Sequence, residues 1–337
     1  MAILMTGGGT GGHLAIIRAV KESLHGEELC YIGSTKGQDK QWFENDDDFT
    51  HKYFFETRGV VNQGLLGKVK SMMMIVKATI SSVKLIRKHQ ASVVFSVGGF
   101  SSAPMAFAAK LTRTPLVIHE QNAALGTVNK FLKPYATQFI SSYLEESPIK
   151  AYPIKKQFFE LAHIRKNLET IIFLGGSQGA MAINNLALEL APILKEKGIR
   201  IIHQAGEKNV EKIQAAYQEK GIEAEVFGFT TKLSEYMDAA DFAIARSGAS
   251  TLWELSASAI PTLYIPYPYA ASDHQYHNAK FLKDKCLAWI MRESEIDREE
   301  VLALLESDLW TISSELMDFV EKDGSQKIAT LLERYKA

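Results

Sequence analysis

The order of apolar and polar positions along the chain predicts two similar sets of strands and helices. Short apolar runs typical of buried strands begin at Ala2 and at Thr170, and each leads into a glycine-rich turn and then an apolar-periodic helix. The same order recurs around Gly98 and around Arg246. A strand, a glycine turn and a helix open a doubly wound domain. The pattern therefore predicts an α/β protein of two Rossmann-like domains whose glycine turns face a central cleft.

The stretch from Tyr152 to Lys155 is the predicted linker between these domains. We place the N-terminal domain at 1–155 and the C-terminal domain at 156–322, and we expect the last helix, 323–337, to pack back on the first domain. A length of 337 residues favours two domains over one. Hydrophobic and charged contents of 46% and 23% are ordinary for a soluble globular protein.

A long helix is predicted after Gly67. Its apolar residues recur every three or four positions and predict a core-facing stripe, made of Val69, Met72, Met73, Val76, Ile80 and Val83. The opposite face carries Lys70, Met74, Lys77, Ser81, Lys84 and Lys88. Lysines around an apolar residue favour a helix that lies in a membrane interface, with a plain solvated lysine face as the alternative.

Charge is distributed unevenly between the two halves. The net charge is −1, yet residues 1–155 contain 18 basic and 12 acidic residues. The interval from Gly59 to His119 contains eight basic residues and no acidic one. Such a field favours an anionic surface, either nucleic acid or acidic lipid. The uncharged interval from His89 to Ala109 is interrupted by glycines, serines and Pro104, so we expect a protein that contacts a membrane without crossing it.

No metal and no cofactor are predicted. Cys30 and Cys286 show neither a metal-binding nor a disulfide spacing, which fits a reducing cytoplasm. The run from Asp46 to Asp48 is more typical of a solvated loop than of a metal site. The first glycine turn lacks G-x-G-x-x-G spacing and no acidic residue ends the second strand near Gly33, so a dinucleotide site is disfavoured.

Three strand ends carry the candidate chemistry. His13 follows the first glycine turn, where it is either a general base or a capping residue. The helix that begins at Ala249 offers free N–H groups for a diphosphate and Glu254 for a ribose hydroxyl pair, unless its hydroxyl residues merely cap a buried turn. Four polar residues, His119 to Asn122, end another strand and predict a binding cleft.

Together these motifs resemble the MurG family, glycosyltransferase family 28, which moves N-acetylglucosamine from UDP onto a lipid-linked muramoyl-pentapeptide. The matching motifs run in the family's order from residue 8 to 279. They are Gly8 to His13, Gly98 to Ser101, His119 to Asn122 with Gly126 and Asn129, Gly175 to Ala180 with Asn184, Arg246 to Ala249, Glu254, Gln275, and Asn278 with Ala279. The ordered set carries the resemblance, since each motif alone is weak.

The resemblance implies a GT-B fold and an inverting hexosyltransferase that converts lipid I to lipid II in peptidoglycan synthesis, and so serves cell wall biogenesis, cell shape and cell division. The implied donor is UDP-N-acetylglucosamine, and the implied acceptor is the C4 hydroxyl of the lipid-linked muramoyl-pentapeptide. The implied location is peripheral, at the cytoplasmic face of the cell membrane. An anionic membrane surface would then be the partner of the basic N-terminal domain, with no nucleic acid involved.

The resemblance also implies roles for single residues. Those expected to bind substrate are Thr10, Gly11, Gly12 and Asn122 in the first domain and Lys155, Ser177, Thr230, Ala249, Ser250, Thr251, Leu252, Trp253, Glu254 and Gln275 beyond it. The expected catalytic base is His13, with His119 or Glu120 behind it. Lys155 replaces a family arginine, so one ammonium stands in place of a forked guanidinium and its donor contact stays open.

Two other functions fit the same residues. A UDP-N-acetylglucosamine 2-epimerase on the same fold needs no membrane face and would act on the donor alone. A non-catalytic subunit that binds a sugar nucleotide would leave turnover unchanged when His13 or Glu254 is replaced by alanine.

Overall fold

The chain folds into two compact units in the computed structural model, which describes residues 1–57, 64–176 and 178–336. Unit 1 comprises Met1–Ile154 and the segment that begins at Glu321, and unit 2 comprises Lys155–Val320. Each unit contains a parallel sheet of six strands. The predicted α/β architecture of two doubly wound domains is therefore confirmed.

Unit 1 has the strand order β3-β2-β1-β4-β5-β6. Its strands are β1 Ile3–Thr6, β2 Leu29–Ser34, β3 His51–Phe55, β4 Val93–Ser96, β5 Leu116–Glu120 and β6 Gln138–Ser141. Its helices are α1 Gly11–Lys21, α2 Asp39–Phe43, α3 Leu65–Lys88, α4 Ala103–Thr112, α5 Thr127–Leu132 and, at the end of the chain, α14 Gly324–Glu333. The central strands are buried along their whole length, as parallel strands covered by helices on both faces are.

Unit 2 repeats this plan with the order β12-β11-β10-β7-β8-β9. Its strands are β7 Thr170–Leu174, β8 Arg200–Gln204, β9 Glu225–Phe227, β10 Phe242–Ala245, β11 Thr262–Tyr264 and β12 Trp289–Ile290. Its helices are α6 Lys156–Glu160, α7 Met181–Glu196, α8 Val210–Glu219, α9 Leu233–Asp238, α10 Ala249–Ala257, α11 His274–Lys283, α12 Arg298–Leu304 and α13 Leu309–Phe319.

The strand order places the glycine turns at one edge of each sheet. Parallel strands end at a common edge, and the order reverses between β1 and β4 in unit 1 and between β7 and β10 in unit 2. Ligands of open α/β sheets bind outside the carboxyl ends of the strands at such a reversal. The turns after these four strands are therefore where a ligand site is expected in each unit.

The prediction that the apolar stripe of α3 faces the core is wrong for five of its six residues, whereas Val83 packs against the core of unit 1. Five of its residues, Val69, Met72, Met73, Val76 and Ile80, are between 51% and 61% exposed. The helix packs on α4, and its buried positions include the small residues Ser71, Ala78 and Ser82. Small and polar side chains carry little hydrophobic signal, so hydrophobicity did not identify the buried face.

The end of the chain belongs to unit 1, where α14 packs against α1. The Ser325 hydroxyl donates to the Ile154 carbonyl at 3.2 Å. A Cβ on Gly324 would lie 2.4 Å from the Tyr152 carbonyl oxygen. Because Gly324 has no side chain, the backbone of α14 can lie directly against the backbone at Tyr152, near the end of the first segment of unit 1.

The acidic run at 46–48 anchors α1. The Lys21 ammonium, only 5% exposed, lies 2.7 Å from an Asp46 carboxylate oxygen and 2.6 Å from one of Asp48. A buried ammonium needs such partners, because an unpaired one is costly. The structure therefore gives two of these aspartates an ion-pairing role.

Candidate functional site

The first glycine turn joins β1 to α1 at the carboxyl edge of the unit 1 sheet. Gly8 and Gly9 have φ values of 157° and 85°. A Cβ on Gly8 would lie 2.5 Å from Asp39 Oδ1, and one on Gly9 would lie 2.5 Å from the Phe100 ring. The turn is closely packed on both sides, and only glycine fits both its backbone angles and its surroundings.

A buried carboxylate fixes this turn. Asp39 is fully buried, and its Oδ2 accepts the Gly9 N–H at 2.7 Å while its Oδ1 accepts the Ser34 N–H at 2.9 Å. The Tyr31 hydroxyl donates to the Gly7 carbonyl at 2.8 Å and lies 3.2 Å from Oδ1. Hydrogen bonds to an ionised acceptor are about twice as strong as neutral ones. The predicted site residues did not include Asp39, because it lies past the end of β2, at the first residue of α2.

His13 lies in the first turn of α1 and is partly exposed. Its Nδ1 is 2.9 Å from the Thr10 hydroxyl, and its Nε2 is 3.2 Å from the side-chain nitrogen of Gln121. An amide NH₂ can only donate, so this arrangement assigns the lone pair to Nε2 and the proton to Nδ1. Thr10 orients the ring, and Nε2 is the nitrogen that can take a proton. Gly11 and Gly12, which separate the two residues, are partly exposed.

The other two predicted bases have different surroundings. His119 is fully buried, and neither ring nitrogen has a hydrogen-bond partner among the described residues. Burial, and secondarily His13 nearby, lower the pKa of His119 to about 3. The Glu120 carboxylate accepts the backbone N–H groups of Asn122 at 3.0 Å and Gly126 at 2.9 Å, and a side-chain N–H of Asn129 at 3.0 Å. These contacts favour His13 as the base and give Glu120 the role of shaping the loop that carries Asn122.

In unit 2 the small-residue turn after β10 leads into α10. The first turn of a helix leaves backbone N–H groups without intrahelical partners, and here those N–H groups begin at Ala249. The Asn278 side-chain amide donates to the Ser247 carbonyl at 3.2 Å and holds the turn. Leu252 and Trp253 are 0% and 4% exposed, so their side chains belong to the core. The predicted residues whose side chains remain partly accessible are Ser250, Thr251 and Glu254.

Glu254 and Lys155 lie in the same part of unit 2, although they are distant in sequence. Burial raises the pKa of Glu254 to about 7, and the Lys155 ammonium acts in the opposite direction. Lys155 occupies the N-cap position of α6. An ammonium near a carboxylate that titrates near neutral pH is a pattern found at functional sites, though structural ion pairs produce it too.

The loop after β11 brings Gln275 to this region. The Gln275 side-chain oxygen accepts the Tyr267 N–H at 2.9 Å. Arg246, which follows β10, donates to the carbonyls of Ile265 at 2.9 Å and Pro266 at 3.0 Å, and it pairs with Glu293. These contacts tie the loop to the turn before α10.

One further predicted residue, Thr230, lies elsewhere in unit 2. Thr230 is partly exposed, and its hydroxyl accepts the Lys232 N–H at 3.0 Å. Ser177 lies outside the described residues. In α7, the Asn184 side chain contacts His203 at 3.0 Å and donates to the Ala205 carbonyl at 3.1 Å. A Cβ on Gly179 would lie 2.5 Å from that same carbonyl oxygen, so the backbone at Gly179 lies close against this buried chain of contacts.

Comparison with protein families matches both units. The glycosyltransferase family 28 N-terminal domain matches residues 3–141, and the C-terminal domain of the same family matches residues 170–326. A protein of Sulfurovum sp. is 71% identical over 335 residues, covering 99% of each chain. One of Sulfurimonas denitrificans is 50% identical and covers 98% of each chain. Both are named UDP-N-acetylglucosamine–N-acetylmuramyl-(pentapeptide) pyrophosphoryl-undecaprenol N-acetylglucosamine transferase.

Solved structures with the same fold include the crystal structure of Acinetobacter baumannii MurG. It is 27% identical, with a TM-score of 0.79 and coverage of 99% of each chain. A structure of S. aureus MnaA with UDP is 12% identical, with a TM-score of 0.66, and covers 100% of this chain and 97% of its own. At that identity the likeness concerns the fold alone.

Proposed function

The chain belongs to glycosyltransferase family 28, and on that basis we propose that it transfers N-acetylglucosamine from UDP-N-acetylglucosamine to a lipid-linked muramoyl-pentapeptide. The observation that carries this conclusion is the 71% identity over almost the whole length of a relative named for this transfer. The relatives confirm the predicted N-acetylglucosaminyltransferase and its place in peptidoglycan synthesis.

The donor is assigned to the edge of unit 2 around α10. The N–H groups of the first turn and the positive end of the helix suit a diphosphate. The hydroxyls of Ser250 and Thr251 add donors, and the Glu254 carboxylate suits the two ribose hydroxyls. We assign Lys155, which is close enough to Glu254 to influence its pKa, the role of offsetting charge on the departing UDP. Gln275 and Thr230 are assigned to the sugar hydroxyls and the uracil, as the resemblance implies.

The transfer itself needs one base. The C4 hydroxyl of the acceptor loses its proton to His13 Nε2 and its oxygen bonds to the anomeric carbon, while the bond from that carbon to the UDP oxygen breaks with its electron pair. The acceptor hydroxyl takes the place of the Gln121 amide that now contacts Nε2. Attack on the face opposite to the leaving group inverts the anomeric centre. The Thr10 hydroxyl on Nδ1 keeps the ring in the required tautomer.

The acceptor is carried by a lipid, and α3 offers a surface for it. In the part of the chain that the structure describes, no helix is long and apolar enough to span a bilayer. The exposed stripe at Val69, Met72, Met73, Val76 and Ile80 has Lys77 beside it. Exposed apolar side chains next to lysines favour binding to an anionic membrane surface. On this ground we assign the protein to a membrane surface, and we assign it to the cytoplasmic face because the family resemblance implies that location.

Replacing both Met72 and Met73 by glutamate is expected to weaken binding to vesicles that contain anionic lipid by about tenfold or more. Each buried methionine contributes roughly 1 kcal/mol even when only partly inserted, and each new carboxylate is repelled by the lipid. Vesicle sedimentation measures the partition coefficient. Trp310→Ala, a loss of a 51% exposed aromatic residue from unit 2, is the control and leaves binding unchanged. Equal binding of the double variant and the wild-type protein would contradict this surface.

Asp39→Asn is expected to lower kcat/KM about 10- to 100-fold. Asparagine has the same shape as aspartate but carries no charge. Its NH₂ group must face the backbone N–H of either Gly9 or Ser34, so that one of these N–H groups loses its acceptor. Steady-state kinetics with the lipid-linked acceptor measures the change. Asp46→Asn is the matched control, since it weakens the ion pair with Lys21 in the same unit without touching the turn. A similar loss of activity in both variants would show that Asp39 acts only through stability.

Transfer of labelled N-acetylglucosamine from UDP-N-acetylglucosamine to a lipid-linked muramoyl-pentapeptide tests the proposed function directly. Product that appears only when both substrates are present supports it. Formation of a 2-epimer from the donor alone would identify an epimerase. Binding of the donor without any product, in the presence of the lipid acceptor, would identify a non-catalytic subunit.

A further inference from the structure

Three potential metal ligands meet at the edge of the unit 1 sheet opposite to the glycine turns. Glu28 directly precedes β2, His51 is the first residue of β3, and His89 is the C-cap of α3. One ligand atom of each lies within 4.8 Å of the other two. None of these residues has a part in the transfer chemistry, and the predicted site included none of them.

The distances suit a small tetrahedral cation. His89 Nδ1 lies 3.3 Å from Glu28 Oε1. This exceeds the roughly 2.8 Å of a good charge-assisted N–H···O bond. It equals the separation of about 3.3 Å that two ligands have when each lies about 2.0 Å from one tetrahedral zinc ion. The third ligand atom, a ring nitrogen of His51, must move by about 1.5 Å or less to reach the same separation from the other two. A half-buried side chain can make such a movement.

A supporting hydrogen bond orients the buried ligand. The Tyr53 hydroxyl lies 2.8 Å from His89 Nε2, the ring nitrogen remote from Glu28. Metal-binding histidines usually have an oxygen partner on the second nitrogen, which fixes the tautomer and leaves the first nitrogen free to coordinate. The His51 ring lies over the His89 ring with centroids 4.5 Å apart, which keeps its nitrogens near the same point.

The chemistry of the surroundings limits the ligands to these three. Cys30 is fully buried in the apolar core of unit 1 and does not belong to the three-ligand group. Lys88 donates to the Tyr53 hydroxyl at 3.3 Å, which ties this ammonium to the supporting residue. Glu28 is 38% exposed in its side chain and offers a path from solvent. Two imidazoles, one carboxylate and a water molecule form a ligand set that zinc accepts.

We propose that Glu28, His51 and His89 form a binding site for a divalent transition-metal ion, with zinc as the best fit. The ion would join the end of α3 to the beginnings of β2 and β3. It would therefore stabilise unit 1 and the helix that exposes the apolar stripe, at the opposite edge of the sheet from His13. Its occupancy is independent of the transfer reaction.

Calorimetric titration of the full-length, tag-free protein with zinc chloride tests the site. All proteins carry Cys286→Ser, which removes the exposed thiol as a competing ligand. The expected result is one saturable site per chain and a rise in melting temperature on zinc addition. His51→Ala and Glu28→Gln are each expected to weaken binding about tenfold or more, and Tyr53→Phe about tenfold.

His163→Ala is the matched control. His163 Nδ1 also lies 3.3 Å from a carboxylate oxygen, that of Asp238, but this pair forms no three-ligand group in the described residues. Its replacement should leave zinc affinity and the thermal shift unchanged. Circular dichroism verifies that each variant is folded, and binding of Co²⁺ followed by its visible absorption provides a second readout. Absence of saturable binding, or equal affinity in wild type, His51→Ala and Glu28→Gln, would overturn the site.

Discussion

Replacement of His13 by alanine is expected to lower kcat by about 10²- to 10⁴-fold, the usual contribution of a positioned general base. The variant loses Nε2. This nitrogen carries the lone pair of the ring, because the Gln121 amide can only donate to it and the proton is on Nδ1, next to the Thr10 hydroxyl. The donor is assigned to unit 2, whereas His13 belongs to unit 1. The dissociation constant for UDP should therefore change by less than about twofold, because its binding groups remain. Turnover of labelled donor with the lipid-linked acceptor, and calorimetry with UDP, measure the two quantities.

Two further variants separate proton transfer from general damage to the turn. Thr10→Val removes the hydroxyl that orients the ring, and a loss of about tenfold is expected because the imidazole remains. Gln121→Ala removes one contact of Nε2 but leaves the nitrogen in place, so kcat should fall by less than tenfold. A kcat of His13→Ala within tenfold of the wild-type value would identify another base. His119 is poorly suited to that role because burial keeps its pKa near 3.

The strands of this fold could be predicted from sequence because both sheets are parallel and buried. One buried strand, Thr170–Leu174, begins where the apolar run predicted it, and another, Phe242–Ala245, ends directly before Arg246. A strand covered on both faces is a continuous apolar run, and polar or glycine residues mark its ends. The repeated order of strand, turn and helix then indicated two doubly wound units.

The packed face of α3 could not be predicted in this way. Hydrophobic periodicity assigns the apolar residues to the core, but Met72 and Met73 are 54% and 61% exposed. A helix that offers its apolar face to an external partner has the same periodicity as one that offers it to its own core. Ser71 and Ser82, both fully buried against the rest of the unit, give no hydrophobic signal.

The candidate site was predictable only where it is local in sequence. Glycine turns and the first turn of a helix are contiguous motifs, so His13 and Ser250 could be proposed from neighbouring residues. The contacts of Asp39 with Gly9, and of Lys21 with Asp46, join residues 25 or more positions apart. Such partners are brought together by the tertiary fold, so the spacing of residues along the chain does not predict them.

Glu254→Gln is expected to lower kcat/KM for the donor about 100-fold while it stabilises the protein at alkaline pH. A carboxylate accepts hydrogen bonds from both ribose hydroxyls, each contributing roughly 1.5 to 3 kcal/mol, and a carboxamide replaces one acceptor by a donor. The loss of donor affinity should be largest above about pH 7, where the wild-type side chain is ionised. Donor titration at several pH values measures it.

The gain in stability follows from the pKa of Glu254, which burial raises to about 7 from an ordinary value of 4.5. The folded protein binds this proton more tightly than the unfolded chain does. The stabilising contribution of the bound proton is therefore complete below about pH 4.5 and is lost as the pH rises through about 7. Glutamine carries no charge and escapes that loss. The melting temperature of Glu254→Gln should thus match the wild type near pH 4 and exceed it near pH 8, whereas Glu315→Gln, at an exposed position of α13, should show neither effect. Equal melting temperatures at pH 8 together with unchanged donor affinity would place this carboxylate in water, away from both the ribose and the interior.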